Sequence, residues 1–319
     1  PQPFQQKRVY CFFQKGTAFY LEYNLSLCLV LLLTRLDLIG AIDLDTILPC
    51  YWISRLKNIP RTYDAHELFC EMKEVVTRPA IHRVWKWIER YTVPRFTVGY
   101  TVSEPIAEEF KKLYNVNYPV IRNLPFPDPE LPIDFHLKKE RYLIYSGAVN
   151  EGRCFETLIP AMKQVSLPLM ICGEGNFLRQ AKELVKLHGL QQQIKFMGKV
   201  PPEQLRPLIR NAWAGITLFE ATGKSNYFSL ANRFFDYLQA GIPQLCVDFP
   251  AYRALNNSYR VAVLVTTIEP EQLARELNRL NTDSELYEQL TQQCLVARKE
   301  LHWDREKSKL LELYHPLFQ

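Results

Sequence analysis

Short apolar runs alternate with longer amphipathic segments along most of the chain, and this alternation constrains the fold more than any other feature. In the second half, strand-like runs at 142–145, 167–172 and 214–219 are each followed by a segment with helical periodicity. Parallel strands need a crossover connection, which is usually a helix. The repetition therefore predicts α/β architecture with parallel sheets.

A proline-dense stretch divides this pattern. The chain has 319 residues, about twice the length of a typical single domain, so two domains are expected. Four prolines within eight residues cannot continue a helix or a central strand: Pro125, Pro127, Pro129 and Pro132. We therefore predict a first domain over 1–125, a linker over 126–140 and a second domain over 141–302.

Charge and cysteine content narrow the function classes. The net charge of +5 is mild and suits phosphates, acidic substrates or an anionic membrane surface, without the dense basic stripe of a nucleic-acid-binding protein. The eight cysteines form no CxxC pair and lie mostly in apolar runs, as reduced core thiols of a cytoplasmic protein do. The longest apolar run, 25–33, is shorter than a membrane span, and no signal peptide is recognisable.

The first half predicts fewer strands than a complete doubly wound domain needs. It opens at Pro1, directly before a strand-like run at 8–13. We therefore expect the first domain to be incomplete at its N-terminal end. The other elements predicted there are strands at 38–42, 61–65 and 97–102, and helices at 46–56, 80–92 and 103–114.

Three loops of the second half follow predicted strands, at the edge where open parallel sheets bind ligands. The first contains Gly147 and ends at Arg153, a pairing suited to a phosphate approached by backbone N–H groups and by a guanidinium. The second, 172–176, carries Glu174 between two glycines, and the third, 223–227, contains Ser225, Asn226 and Tyr227. Each loop by itself is equally compatible with an ordinary strand–helix turn.

A predicted helix over 228–240 follows the third loop. It carries Asn232 and Asp236, four residues apart and hence on one face. Apolar and aromatic residues flank Asp236 on both sides, and a carboxylate in such surroundings favours a functional role over a solvated surface. An acid placed there could accept both hydroxyls of a ribose.

These segments together resemble the retaining family-4 glycosyltransferases, which have the GT-B fold of two Rossmann-like domains facing a cleft. Segment 225–243 resembles the donor-site helix of that family, and 145–153 resembles its diphosphate loop. Segment 63–67 is similar to the strand end that presents a histidine to the donor sugar. Residues 303–319 resemble the terminal helix that packs back on the first domain.

The resemblance implies transfer of a sugar from a nucleotide-sugar to a glycan or lipid-linked acceptor, with retention of configuration and without a metal or other cofactor. It implies that His66 and Arg153 are catalytic, with Arg153 gripping the diphosphate and His66 orienting the sugar. The implied donor-binding residues are Gly147, Arg153, Glu174, Ser225, Asn226, Tyr227, Asn232 and Asp236.

Two positions depart from the family pattern. The first acid of its paired motif is replaced by Phe228, and the cation usual after Gly147 is replaced by Ala148. These departures leave open two alternatives to a transferase, namely a nucleotide-sugar epimerase on the same fold and a non-catalytic nucleotide-sugar-binding protein. Release of free nucleoside diphosphate distinguishes a transferase from an epimerase.

Two further features concern a metal and a membrane. Asp43 and Asp45 resemble the metal-binding DxD of the other major glycosyltransferase class, but their position favours capping of helix 46–56. Helix 80–92 combines a basic face (His82, Arg83, Lys86 and Arg90) with an apolar stripe that includes Trp85. The basic face is compatible with anionic lipid, whereas the stripe favours packing on the first domain. We expect a cytoplasmic location, with peripheral contact at the inner face of the membrane.

Overall fold

The computed structural model of the chain describes residues 4–127 and 141–318. The contacts divide the chain into two compact units, one with residues up to Ile121 and from Leu310 onward, the other with 122–309. The predicted linker falls mostly outside the described residues, including Pro129 and Pro132.

The first unit contains a three-stranded parallel sheet in the order β1–β2–β3. The strand runs predicted at 38–42, 61–65 and 97–102 are confirmed, the last of them shortened to three residues. The elements are α1 Gly16–Leu33, β1 Ile39–Ile42, α2 Leu44–Lys57, β2 Arg61–Ala65, α3 Lys73–Val76, α4 Pro79–Thr92, β3 Gly99–Thr101 and α5 Glu104–Tyr114.

Helix α1 corrects two sequence expectations about the start of the chain. Residues 8–13 form no strand, and the apolar run at 25–33 is the second half of an 18-residue helix. By length and composition alone, α1 is long and apolar enough to cross a membrane, a property that no other helix of the described residues shares. The sequence analysis considered only the apolar run at 25–33. The less apolar residues 16–24, with Glu22 and Asn24, continue the same helix and give it its full length. Five of its seven leucines are exposed, by 43% to 82% of their surface: Leu21, Leu25, Leu29, Leu32 and Leu33.

The second unit contains a six-stranded parallel sheet in the order β6–β5–β4–β7–β8–β9. The strands are β4 Leu143–Ser146, β5 Leu169–Cys172, β6 Ile194–Gly198, β7 Ala214–Thr217, β8 Gln244–Val247 and β9 Ala262–Val265. The strand order reverses between β4 and β7, which makes the carboxyl ends of these two strands the switch point where such sheets bind ligands.

Helices cover both faces of this sheet, so its central strands are buried on both sides. All four residues of β4, β7 and β8 are buried, as expected for a parallel sheet between helical layers. The helices are α6 Phe155–Ala161, α7 Leu178–Leu187, α8 Pro202–Asn211, α9 Lys224–Phe228, α10 Asn232–Gln239, α11 Pro250–Tyr259, α12 Pro270–Thr282, α13 Ser284–Ala297 and α14 Trp303–Tyr314, the last divided between the units at residue 310.

One helical expectation in the second unit is wrong, and one helix was not predicted. The helix predicted over 228–240 is interrupted, since α9 ends at Phe228 and α10 begins at Asn232. The hydroxyl of Tyr252 accepts a hydrogen bond from the Ala231 N–H at 2.9 Å, which holds the chain in the extended conformation before α10. Tyr252 lies on α11, the helix between β8 and β9 that was not predicted.

Candidate functional site

The turn after β4 brings two glycine-containing loops into backbone contact. The Gly147 N–H donates to the Cys172 carbonyl at 2.9 Å, and Gly147 has a φ of +131°. A Cβ atom on Gly173 would lie 1.8 Å from the Gly147 carbonyl oxygen, so a side chain cannot be accommodated there. The glycines therefore allow the two strand ends to approach each other closely.

Two asparagines lock these loops together by reciprocal hydrogen bonds. The Asn150 side-chain oxygen accepts from the Asn176 N–H at 3.0 Å, and the Asn176 oxygen accepts from the Glu151 N–H at 3.0 Å. The Val149 N–H donates to the Glu174 carbonyl at 2.9 Å. The N–H groups of residues 147, 149 and 151 are thus engaged within the protein. This corrects the expectation that the Gly147 N–H is available to a phosphate.

Glu174 lies at the exposed tip of the second loop. Its Oε1 atom would be 3.7 Å from a Cβ placed on Gly198, the last residue of β6. The carboxylate therefore lies toward the β6 side of the sheet edge, whereas the switch point lies on the β7 side of β4.

Arg153 lies where the first loop turns into α6. Its guanidinium carbon is 4.3 Å from the centroid of the Phe219 ring, and Phe219 follows β7 in a buried position. Cys154, between Arg153 and the helix, adopts a left-handed conformation with a φ of 61°. The chain reversal and the ring together place the predicted cation at the switch point between β4 and β7.

A second arginine, which the sequence analysis did not select, lies at the same place. Arg233 is the second residue of α10 and is only 8% exposed. Its guanidinium carbon is 4.3 Å from the Tyr145 ring centroid and 5.0 Å from that of Phe219. A Cβ on Gly147 would be 3.5 Å from the same carbon. The sequence signal was available, since a charged residue stands directly before the buried pair Phe234 and Phe235.

Helix α10 is fixed to the sheet by one polar side chain of the helix and one of β8. The Tyr237 hydroxyl accepts from the Ser146 N–H at 2.9 Å, and its ring lies against Gly215, where a Cβ would be 2.2 Å from it. Gln244 donates to the Phe234 carbonyl at 3.0 Å and accepts from Thr217 at 2.8 Å. These buried contacts hold the helix rigidly beside the ends of β4 and β7.

Asp236 and Asn232 share a face of α10, as predicted. Asn232 is exposed, whereas Asp236 is half-buried and burial raises the pKa of its carboxyl to about 6. The positive charges of Arg206 and Arg233 oppose this shift in the pKa of Asp236. The carboxylate is therefore poorly solvated in the absence of a ligand, and groups that donate hydrogen bonds to it would stabilise its charged form.

The third loop is largely helical, because Ser225, Asn226 and Tyr227 all lie on the short helix α9. Ser225 is buried, and the Tyr227 ring packs against Phe249 with centroids 4.9 Å apart. The Asn226 carbonyl accepts from the Ser229 hydroxyl at 3.0 Å, which ends the helix. Asn226 and Tyr227 keep partial exposure, whereas Ser225 is buried.

In the first unit, His66 follows β2 and belongs to a separate polar cluster. Its Nε2 atom lies 3.1 Å from Asp64 Oδ2, and the Tyr100 hydroxyl donates to the same oxygen at 2.7 Å. The hydrogen bond to Asp64 raises the pKa of His66, with further contributions from the charges of Asp64 and Asp43, while burial lowers it. The imidazole is 41% exposed and is held by one carboxylate.

Asp43 supports the same cluster. It stands at the N-terminal boundary of α2, but its side chain forms no capping hydrogen bond, so the expected capping role is wrong. Instead Oδ1 accepts from the His66 N–H at 3.1 Å, with Asp43 in a left-handed conformation at a φ of 56°. Within residues 4–127 and 141–318, no group of three His, Cys, Asp or Glu side chains is arranged to hold a metal ion.

The comparison with family models identifies the chain. The model for glycosyl transferases group 1 matches residues 130–294, more than half of the chain, so the chain belongs to this family. It is therefore a glycosyltransferase, as the sequence resemblance predicted. A search of curated protein sequences gave no match.

Solved structures share the fold at low sequence identity. Sucrose-phosphate synthase from Thermosynechococcus elongatus has a TM-score of 0.76 and 16% identity, covering 94% of this chain and 78% of its own. HepE from Anabaena, in complex with UDP-glucose, has a TM-score of 0.72 and 14% identity over 88% and 79%. A glycosyltransferase from Rickettsia africae has a TM-score of 0.72 and 13% identity over 97% and 84%. The predicted α/β fold of the GT-B glycosyltransferases is thereby confirmed.

Proposed function

We propose that this glycosyltransferase uses a nucleotide-sugar donor, whose nucleoside diphosphate binds at the switch-point edge of the second unit. The observation that carries the proposal is the meeting of Arg153, the Gly147 turn and helix α10 at the ends of β4 and β7. A guanidinium at a tight glycine turn, beside a half-buried carboxylate, suits a ligand with both phosphates and a ribose. The complex of the structurally similar HepE with UDP-glucose supports the same ligand class.

Each part of the donor is assigned to a part of this edge. Arg153 faces the diphosphate, and Asp236 accepts hydrogen bonds from the ribose hydroxyls. Asn226, Tyr227 and Asn232, which all keep exposed surface on α9 and α10, line the rest of the donor. Glu174 lies farther out, beyond β5, and Ser225 supports α9 from a buried position.

The proposed reaction breaks the bond between the anomeric carbon and the diphosphate oxygen, and the diphosphate leaves with the electron pair. An acceptor hydroxyl oxygen bonds to the same carbon from the face that the diphosphate leaves, so the configuration is retained, and the hydroxyl proton passes to the departing diphosphate oxygen. Fixed positive charge beside the leaving oxygen stabilises the transition state. Because guanidinium groups supply that charge, we propose that the transfer requires no metal ion and no other cofactor.

His66 is proposed as the second catalytic residue, in contact with the donor sugar. Its support is the family resemblance of segment 63–67 together with the Asp64 contact, which fixes the ring and favours its protonated form. A fixed, partly exposed imidazole can donate a hydrogen bond to a sugar hydroxyl.

A glycan or lipid-linked acceptor is proposed, with contact between the first unit and a membrane surface at the cytoplasmic side. The exposed leucine row of α1 supports a lipid contact, as do Val84 and Trp87 on α4, which are 58% and 59% exposed. The basic face of α4 is smaller than expected, because Lys86 is bound to the buried Glu89 at 2.7 Å. Arg83 and Arg90 remain exposed beside the apolar residues.

A binding experiment tests the donor proposal directly. Thermal-shift screening against UDP-, GDP- and ADP-sugars identifies the nucleotide, since a ligand of the folded state raises stability by mass action. Calorimetry then compares wild type with Asp236→Ala, which we expect to weaken nucleotide binding by about 1.5–3 kcal/mol. Glu276→Ala on α12 is the matched control, because its carboxylate is only 13% exposed. Equal affinities of wild type and Asp236→Ala would remove Asp236 from the site.

A turnover experiment tests the chemistry. We expect released nucleoside diphosphate with a glycan or lipid-linked acceptor, a product of unchanged anomeric configuration by NMR, and full activity in chelator. Restoration of lost activity by manganese or magnesium would contradict the metal-independent route. Co-sedimentation with anionic and neutral vesicles tests the membrane contact, and Trp87→Ser should weaken binding to the anionic vesicles.

A further inference from the structure

Arg233 is the charged side chain that the proposed donor site does not yet use. It is more than nine-tenths buried, and its Nη1 atom is buried without a hydrogen-bond partner among the described residues. Within that part of the chain, no carboxylate forms an ion pair with it. A buried guanidinium with an unfilled donor carries a large desolvation cost, which an anion would offset.

The position of the guanidinium indicates where that anion would sit. Arg233 lies against Gly147, where any side chain would meet its guanidinium carbon at 3.5 Å. Arg153 and Arg233 both contact the ring of Phe219, at 4.3 Å and 5.0 Å, so two positive charges lie near one aromatic ring. The N–H groups of residues 147 and 149 already bond to carbonyls, so the two guanidiniums supply donors that these N–H groups cannot. Glu220 also lies at this edge, since its Oε2 atom would be 3.7 Å from a Cβ on Gly152.

We propose that Arg233 makes a bidentate contact with the diphosphate of the donor and supplies the positive charge that Ala148 lacks. The inference rests on the proposed function, since it names a further residue of the same donor site. The guanidinium approaches Gly147 from helix α10 instead of from the loop that follows β4. The anchoring of α10 through Tyr237 and Gln244 keeps this charge fixed while the ligand is absent.

The stacking of Arg233 on Tyr145 supports an alternative role, in which Arg233 stabilises the fold and binds no ligand. The two roles predict opposite effects for Arg233→Met, which keeps an unbranched apolar chain but removes the charge. If Arg233 binds the anion, the Arg233→Met protein should lose diphosphate binding, and without ligand it should unfold at the same or a higher urea concentration than wild type. If Arg233 only stabilises the fold, the Arg233→Met protein should be less stable than wild type and should bind diphosphate as wild type does.

Calorimetry with the full chain distinguishes these roles, using inorganic pyrophosphate, UDP, GDP, ADP and the corresponding nucleosides as probes. We expect Arg233→Met to weaken pyrophosphate and nucleoside diphosphate at least about tenfold, and to leave nucleoside affinity within about twofold. Arg141→Met is the control, because Arg141 also stacks on an aromatic ring, Trp213 at 4.3 Å, but precedes β4 at the opposite end of the strand. It should bind every probe as wild type does.

The outcomes separate the two proposals. Unchanged pyrophosphate and diphosphate binding by Arg233→Met overturns the role of Arg233 and leaves the proposed function standing. Pyrophosphate binding that depends on Arg233, without binding of any nucleotide, supports Arg233 and overturns the donor proposal. Wild type that binds none of these probes overturns both. If Arg233→Met does not fold, Arg233→Lys takes its place. Lysine keeps the charge but lacks the paired N–H donors of the guanidinium, so it should weaken pyrophosphate binding at least about threefold. Unchanged affinity would overturn the bidentate contact.

Discussion

The two units place polar side chains beyond the carboxyl ends of parallel strands, but with opposite charge. In the first unit, Asp43 and Asp64 hold His66 through its backbone and its ring. In the second, Arg153 and Arg233 contact aromatic rings around the Gly147 turn. The first arrangement fixes one imidazole and leaves a buried acceptor, Asp64 Oδ1, without a partner among the described residues, whereas the second leaves a buried donor, Arg233 Nη1, without one. A buried acceptor suits a ligand that donates hydrogen bonds, whereas a buried cationic donor suits an anion.

The largest predicted effect concerns how rigidly each strand edge is built. Gly173→Ala should cost about 3 kcal/mol of unfolding free energy, because its Cβ would overlap the Gly147 carbonyl. Gly40→Ala on β1 should cost less than about 1 kcal/mol, because its Cβ would meet the Thr62 hydroxyl at 3.3 Å and the Tyr314 hydroxyl at 3.9 Å, without overlapping backbone. Urea unfolding of both variants tests the contrast. Equal losses would show that the loops of the second unit are no more tightly fixed than the edge strand of the first.

The next effect is the pH dependence of donor binding. The pKa of Asp236 is raised by burial to about 6, so the carboxylate that would accept ribose hydroxyls is protonated below that pH. We expect nucleoside affinity to fall about tenfold per pH unit below 6, and Asp236→Asn to show weak binding that is independent of pH.

The free energy of unfolding should depend on the same ionisation in the opposite direction: it should fall as pH rises, whereas donor binding improves. Because the folded state binds the Asp236 proton more tightly than the unfolded state does, stability from this group is fully present below about pH 4 and is lost as pH rises through about 6. Asp236→Asn should therefore gain in stability relative to wild type between these values. A flat difference between the two proteins across that range would contradict the assigned burial of Asp236.

The smallest effect tests the first unit. Asp64→Asn should lower the pKa of His66 toward its ordinary value, because the hydrogen bond to Asp64 is the main cause that raises it. The stabilisation from this pair is present below the ordinary histidine pKa and is lost as pH rises through the raised folded value. NMR titration of the His66 ring measures the shift, with exposed Asp37→Asn as the control. An unchanged His66 pKa in Asp64→Asn would show that the carboxylate does not hold the ring electrostatically.

What the sequence alone determined is the arrangement of elements whose signals are local. Strand β1 and helix α5 have local causes, namely a short apolar run and apolar residues at helical spacing. The predicted α/β class and the glycosyltransferase family, both confirmed, rest on such local patterns and on short motifs. The roles of the selected site residues remain predictions.

The tertiary structure decided the features that depend on contacts between distant segments. Tyr252 holds the chain extended before Asn232, which interrupts a helix that periodicity alone would continue. The carboxylate of Asp43 bonds to the His66 N–H, 23 residues away, instead of capping its own helix. Arg233 comes to lie beside Gly147 because α10 packs on β7, and no local pattern places an arginine against a glycine 86 positions earlier in the chain. Hydrogen bonds and charges act through space, so their partners are fixed only when the chain has folded.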